Sequence, residues 1–180
     1  MIVRPAQDSD GEAILAIYAH HVLHGLGTFE ETPPSAAEMA ARRTAVLAQG
    51  LPYLVAEEAG AVLGFAYAGR FNARAAYRYT VEDSVYIAPD AIGKGVGKAL
   101  LTRLLDDCAA LGMRQMMAVV GDSGNEASLA LHRSLGFIRQ GVGKSLGFKH
   151  GRWVDIVWLQ KSLNGGDATA PDLGDGSAPA

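Results

Sequence analysis

Three glycines spaced by two, Gly93, Gly95 and Gly97, alternate with Lys94, Val96 and Lys98 just ahead of a helical pattern. Glycine lets a backbone N–H approach a ligand with no Cβ in the way. The first N–H groups of a helix have no partner within it and carry a partial positive charge. The two lysines add formal charge. The natural ligand of such a loop is a phosphate or pyrophosphate; the alternative is a glycine turn that binds nothing. Spacing excludes two familiar phosphate loops. A P-loop needs G-x-x-x-x-G-K-[ST], but Lys98 is followed by Ala99 and no glycine stands five places before Gly97. A dinucleotide loop needs G-x-G-x-x-G directly after a strand; here the order is G-x-G-x-G, with Ala88 to Ile92 intervening.

Other reactive side chains are weaker signals. Glu82 lies in T-V-E-D-S-V-Y-I (Thr80 to Ile87), a run rich in β-branched and aromatic residues. A carboxylate there is costly to bury without purpose. Strand alternation sends Asp83 to the opposite face, where it reads as structural or solvated. His20, His21 and His24 suggest a metal cluster, but no companion Glu and no H-E-x-x-H pattern accompany them. Solvated histidines at a helix end are the expectation, and no metal. Cys108 sits mid-helix on an apolar face and reads as a buried structural thiol.

These residues need elements to hold them. Val81, Val85, Tyr86 and Ile87 favour a strand, broken by Pro89-Asp90. Val96, Leu100, Leu104, Cys108 and Leu111 then mark a helix face. The central order is strand, glycine loop, helix. Upstream, Ile2-Val3-Arg4 reads as a strand. Ser9-x-x-Glu12 reads as a capping box opening a helix through His21. Gly25 to Pro34 is a loop, and Ser35-x-x-Glu38 starts a second helix through Ala48. Tyr53–Glu57 and Val62–Arg70 form a hairpin turning at Ala59-Gly60. Downstream, Gln115–Val120 is a buried strand and Asn125–Leu135 a helix ended by Gly136. Phe137–Val142 and Val154–Leu159 are closing strands, joined by a loop containing Lys149 to Trp153. From Asn164 onward Gly, Ala, Pro, Asp and Ser dominate, which reads as a disordered tail. One domain, residues 1–163, is the expectation.

Composition excludes several partners. The net charge of −3 lies in the tail acids Asp167, Asp172 and Asp175, so residues 1–163 are balanced and nothing points to nucleic acid or an anionic membrane. No apolar run approaches the ~20 residues of a membrane helix. One cysteine makes no internal disulfide. The first residues, M-I-V-R-P-A, lack a signal-peptide layout. The expected compartment is the cytoplasm.

Ile92-Gly93-Lys94-Gly95-Val96-Gly97 resembles the acyl-CoA loop of GCN5-related N-acetyltransferases (GNAT), [Q/R]-x-x-G-x-[G/A], with Ile92 where Gln or Arg is usual. Asn125 to Phe137 is similar to a second family block, N-x-x-[SA]-x-x-[LF]-[YH]-x-x-x-G-F. Together with T-V-E-D-S-V-Y, His132 and the Gly147–Asp155 run, it resembles the phosphinothricin N-acetyltransferase subfamily. The resemblance spans residues 1–163. It implies a GNAT fold: a mixed α/β architecture, a mostly antiparallel sheet flanked by helices, and central strands that splay apart.

It also implies acetyl-CoA as cosubstrate and transfer of acetyl to the α-amine of phosphinothricin, methionine sulfoximine or methionine sulfone. The pantetheine arm is expected on the backbone of Val85, Tyr86 and Ile87. The pyrophosphate is expected on Gly93, Lys94, Gly95, Val96, Gly97 and Lys98, with Asn125 bonding the cofactor. An α-amine is mostly protonated at pH 7, so attack needs a base. Glu82 is that base, directly or through water. His132 is the proton relay, and a backbone N–H near Val85 or Tyr86 is the oxyanion donor. Arg74 and Arg78 suit an anionic acceptor, with Tyr77 adding a hydroxyl and Lys149 or Arg152 contributing across a dimer interface, since the subfamily is dimeric. Thr28, Phe29 and Glu30 line the acceptor site, or Phe29 simply pins its loop. Two alternatives remain: a GNAT enzyme for a polyamine, aminoglycoside or protein N-terminus, and a non-catalytic acyl-CoA-binding module.

Overall fold

The computed structural model describes residues 1–171. Its strands are β1 (Ile2–Pro5), β2 (Tyr53–Glu58), β3 (Ala61–Arg70), β4 (Thr80–Ile87), β5 (Gln115–Gly121), β6 (Ile138–Lys149) and β7 (Arg152–Ser162). They form one sheet in the order β1-β2-β3-β4-β5-β7-β6. All neighbours are antiparallel except β4 and β5. The helices are α1 (Gly11–His24), α2 (Ala36–Ala48), α3 (Val96–Ala110) and α4 (Glu126–Ser134).

The two faces of β4 sort the helices. Tyr86 packs on Tyr18 and His21 of α1. Ile87 lies by Gly97 of α3, where a Cβ would meet the Ile87 and Leu131 side chains. Neighbouring strand residues point to opposite faces, so α1 lies on one side of the sheet and α3 and α4 on the other. The core is fully buried at Phe65, Leu100, Leu101, Leu104 and Met116. Cys108 is buried in it, and burial pushes its thiol up to about 12. Leu111 falls just past the end of α3 and is exposed, so it does not extend the apolar face.

Several local expectations need correction. Ser9-x-x-Glu12 makes no capping box. A short 3-10 turn, Asp8–Asp10, precedes α1, the Asp10 carboxylate accepts from the Gln7 N–H, and Arg4 grips it in a two-pronged pair. α1 runs on to His24. Residues 143–153 are not a loop. β6 and β7 continue as a long hairpin that reverses over His150-Gly151, both at positive φ. That is the backbone of a two-residue primed turn, which Ala59-Gly60 also adopts. Nor do residues 164–169 hang free. Arg114 donates to the carbonyls of Gly166 and Thr169, and Asn164 donates to those of Ala109 and Met113. Residues 172–180, the rest of the expected tail, lie outside the described residues.

Candidate active site

The site begins where the sheet stops being continuous. β4 pairs with β5 at only three positions, Thr80 with Gln115, Val81 with Met116 and Glu82 with Met117. β4 continues to Ile87 and β5 to Gly121 without further pairing. The strands therefore form a fork that opens from Asp83 onward.

Register decides which backbone groups line it. The Phe71 N–H donates to the Thr80 carbonyl, and the Ala88 N–H to the Leu63 carbonyl. The β3–β4 register runs from Arg70↔Val81 to Gly64↔Ile87 without a bulge. Backbone groups alternate along a strand, so even-numbered residues of β4 turn to β3 and odd-numbered ones to the fork. Val85 and Ile87 offer N–H groups to the fork. Tyr86 does not, because its backbone pairs with Phe65. This corrects its expected place among cofactor contacts and oxyanion donors.

The loop at the fork's open end has the geometry of an anion site. Gly93 and Gly95 both sit at φ near +80°, a region open to glycine at little cost. Gly95 is the N-cap of α3, and no side chain caps this helix end. The free N–H groups at the start of α3, with exposed Lys94 and Lys98 beside them, are open to a phosphate. Ile92 is 61% exposed, so it takes no part in the core.

Asn125 is the N-cap of α4. Its side-chain oxygen accepts from the Ser128 N–H, and its amide reaches the Gly121 carbonyl at 3.5 Å. That leaves one amide hydrogen for a ligand.

Glu82 and His132 do not meet. Glu82 shares the α1 face of β4 with Tyr86. Its carboxylate has no hydrogen-bond partner among the described residues, and burial, aided by the charge of Asp83, raises its pKa. His132 is buried on the opposite face, 3.2 Å from Asp83 through Nε2. Its Nδ1 is 2.7 Å from the Ser128 carbonyl, which can only accept, so Nδ1 carries hydrogen. Burial opposes a charge on the ring, but Asp83 and the carbonyl outweigh it, and the imidazole pKa is raised. Of the two readings of Asp83, structural or solvated, the structural one holds. Its second oxygen, Oδ2, is buried without a partner.

The α1–α2 loop covers the fork on the Glu82 side. A Cβ on Gly121 would run into the Leu26 carbonyl, so glycine is what lets the loop lie on the end of β5. Thr28 bonds Tyr18 at 3.2 Å, and Glu30 takes hydrogen bonds from Tyr18 and Arg42. Phe29 packs against Gly147, where a Cβ would come within 2.5 Å of its ring. His21 is not a solvated helix-end histidine: it is half-buried and donates from Nε2 to the Ile87 carbonyl at 2.8 Å. Burial lowers its pKa.

Arg74, Tyr77 and Arg78 lie on an exposed stretch ahead of β4, around the 3-10 turn Ala75–Tyr77. Among the described residues the Arg74 guanidinium has no partner. Arg78 donates to the Ala75 carbonyl and stacks over Tyr79, and Tyr77 packs on Phe71. No group of His, Cys, Asp and Glu suited to a metal occurs among the described residues. Sequence reasoning missed the His21 contact with Ile87, the pairing of Asp83 with His132 and the burial of Lys149. Strand alternation alone singled out Asp83, without naming its partner.

Comparison with known proteins agrees with this geometry. The model of the acetyltransferase (GNAT) family matches residues 17–137. The phosphinothricin N-acetyltransferase of Alcaligenes faecalis is 58% identical over 170 residues, covering 94% of this chain and 86% of that protein. The L-methionine sulfoximine/L-methionine sulfone acetyltransferase of Salmonella typhimurium is 39% identical, covering 96% of this chain and 99% of that one. The crystal structure of a GNAT superfamily phosphinothricin acetyltransferase from Sinorhizobium meliloti in complex with AcCoA superposes with a TM-score of 0.93 at 52% identity, over 96% of this chain and 94% of that one. The forked sheet, the uncapped glycine-rich helix start and these likenesses together show that the chain belongs to the GNAT acetyltransferase family.

Proposed function

We propose that this enzyme transfers acetyl from acetyl-CoA to the α-amine of a small amino acid such as methionine sulfone, methionine sulfoximine or phosphinothricin. The fork carries the reading: a gap with N–H groups on Val85 and Ile87, next to a lone carboxylate at Glu82. The pantetheine arm fills the gap as an added strand, and its pyrophosphate rests on residues 93–98.

Glu82 takes the proton of the ammonium, directly or through one water. The free amine attacks the thioester carbon, and the Val85 N–H holds the oxyanion. The tetrahedral intermediate then collapses with cleavage of the C–S bond, and the electron pair leaves on sulfur. A thiol is acidic enough to depart with little help. The nitrogen sheds its second proton as the amide forms, and the coenzyme A thiolate takes it up. His132, with its ring nitrogens engaged by Asp83 and the Ser128 carbonyl, holds the far face of β4 in place. Asn125 offers its remaining amide hydrogen to the cofactor. Thr28 and Phe29 wall the acceptor, and Arg74, Tyr77 and Arg78, exposed ahead of β4, serve an anionic group on its side chain.

In this reading the acetyltransferase works as a homodimer in the cytoplasm. The β6–β7 hairpin exposes Leu146, Phe148 and Trp153, with Phe148 stacked edge-on against Trp153 at 5.3 Å. A second copy of the chain would cover this patch. Sedimentation should return the mass of two chains; a single-chain mass removes the dimer.

A thiol-release assay with acetyl-CoA tests the reaction. Turnover is expected with methionine sulfone, methionine sulfoximine or phosphinothricin. Turnover confined to polyamines, aminoglycosides or peptide N-termini would overturn the acceptor class, and binding of CoA without turnover of any amine would overturn the enzyme.

A further inference from the structure

The hairpin carries a charge that the transfer chemistry leaves unused. Lys149 is 2% exposed, and it is the one lysine or arginine among the buried described residues. Its Nζ donates to the Thr28 carbonyl at 2.8 Å. An ammonium has three donors. Among the described residues no second hydrogen bond and no ion pair engages this one. A buried cation without a counter-ion is costly and rare, and burial pulls the Lys149 pKa down.

The groups around it do not neutralise it. Glu30 and Glu31 favour its charge at a distance. Glu30, however, is committed to Arg42 at 2.6 Å and to Tyr18 at 2.9 Å. His21 of α1 feels the Lys149 charge and bonds the Ile87 carbonyl on the fork's edge. The ammonium therefore lies beneath the α1–α2 loop, which covers the Glu82 side of the sheet. The turn at His150-Gly151 fixes it there as the last residue of β6, and the contact of Gly147 with Phe29 braces the strand.

We propose that Lys149 is the carboxylate anchor of the acceptor: its two free donors grip the α-carboxylate of the amino acid whose amine faces Glu82. The assignment rests on the acetyltransferase reading above. A buried cation gains far more from such a pair than a solvated one. That sets Lys149 ahead of the exposed Arg74, which remains free for an anion at the far end of the acceptor side chain.

Paired acceptors test it: methionine sulfone, and the same molecule lacking its carboxylate, 3-(methylsulfonyl)propylamine. Steady-state kinetics are compared in the wild-type enzyme, Lys149→Met and Lys149→Gln, with acetyl-CoA affinity measured by calorimetry to certify each fold. If the Met variant fails to fold, the Gln variant carries the comparison. The expected result is a KM for methionine sulfone raised about 10- to 100-fold, with the KM for the amine unchanged. An equal rise for both acceptors would make Lys149 a tether for the Thr28 loop and overturn the anchor. A wild-type enzyme that acetylates neither compound would overturn the choice of acceptor made above, and the anchor with it.

Discussion

Glu82 and Asp83 are adjacent carboxylates on one strand, yet their surroundings differ in every respect. Glu82 points to the α1 side, half-buried and without a partner among the described residues, and its pKa is raised. Asp83 points to the α4 side, buried and paired with His132. A lone carboxylate in a partly dry cleft is a base waiting for a proton. A carboxylate locked to a buried imidazole is a brace whose loss leaves a charge stranded. One strand thus carries reactivity on one face and stability on the other, and alternation alone separates them.

That division can be broken by mutation. Glu82→Ala should lower kcat by about 10²–10⁴-fold with coenzyme A affinity intact. The acid limb of the wild-type kcat/KM profile should lie above the ordinary glutamate range and vanish in the variant. Unchanged turnover removes Glu82 from the chemistry. Asp83→Asn should do the reverse. Breaking a buried pair costs about 3–5 kcal/mol, which urea denaturation would read, whereas kcat should fall far less than in Glu82→Ala. The pair also makes stability depend on pH. The folded His132 pKa is raised above the ordinary histidine value of about 6.5, so the pair's contribution is complete below that value and lost as pH climbs through the folded one. Denaturation midpoints should decline over that window in the wild type, and the decline should disappear in Asp83→Asn. A wild-type midpoint flat across neutral pH would argue against a charged pair.

The smallest effect concerns the backbone of the same strand. On adding coenzyme A, amide exchange should slow at Val85 and Ile87 and stay as it was at Tyr86, which β3 already protects. Equal protection of all three would mean that the strand has shifted register.

Sequence carried the local chemistry of the fold well. Ala59-Gly60 marked its turn because few residues tolerate two successive positive φ angles. Ser35 accepts the Glu38 N–H as its pattern foretold. Gly93 and Gly95 lie where a loop must adopt left-handed backbone. What stayed hidden was long-range. Asp83 and His132 are 49 residues apart, and no local rule joins them. The direction of the Tyr86 backbone depends on how β3 registers with β4. Lys149 read as a loop residue because the glycines and charges around it mask a strand. Its burial comes from a Thr28 carbonyl 121 positions away.

The three-pair seam between β4 and β5 has a wider consequence. Strands β1 to β4 form one panel and β5, β7 and β6 another, stitched together at residues 80–82 and 115–117. A cosubstrate lying in the gap would act as a keystone as well as a reagent, turning two hinged panels into one wall. Its departure after each turnover would loosen the very joint that aims Glu82.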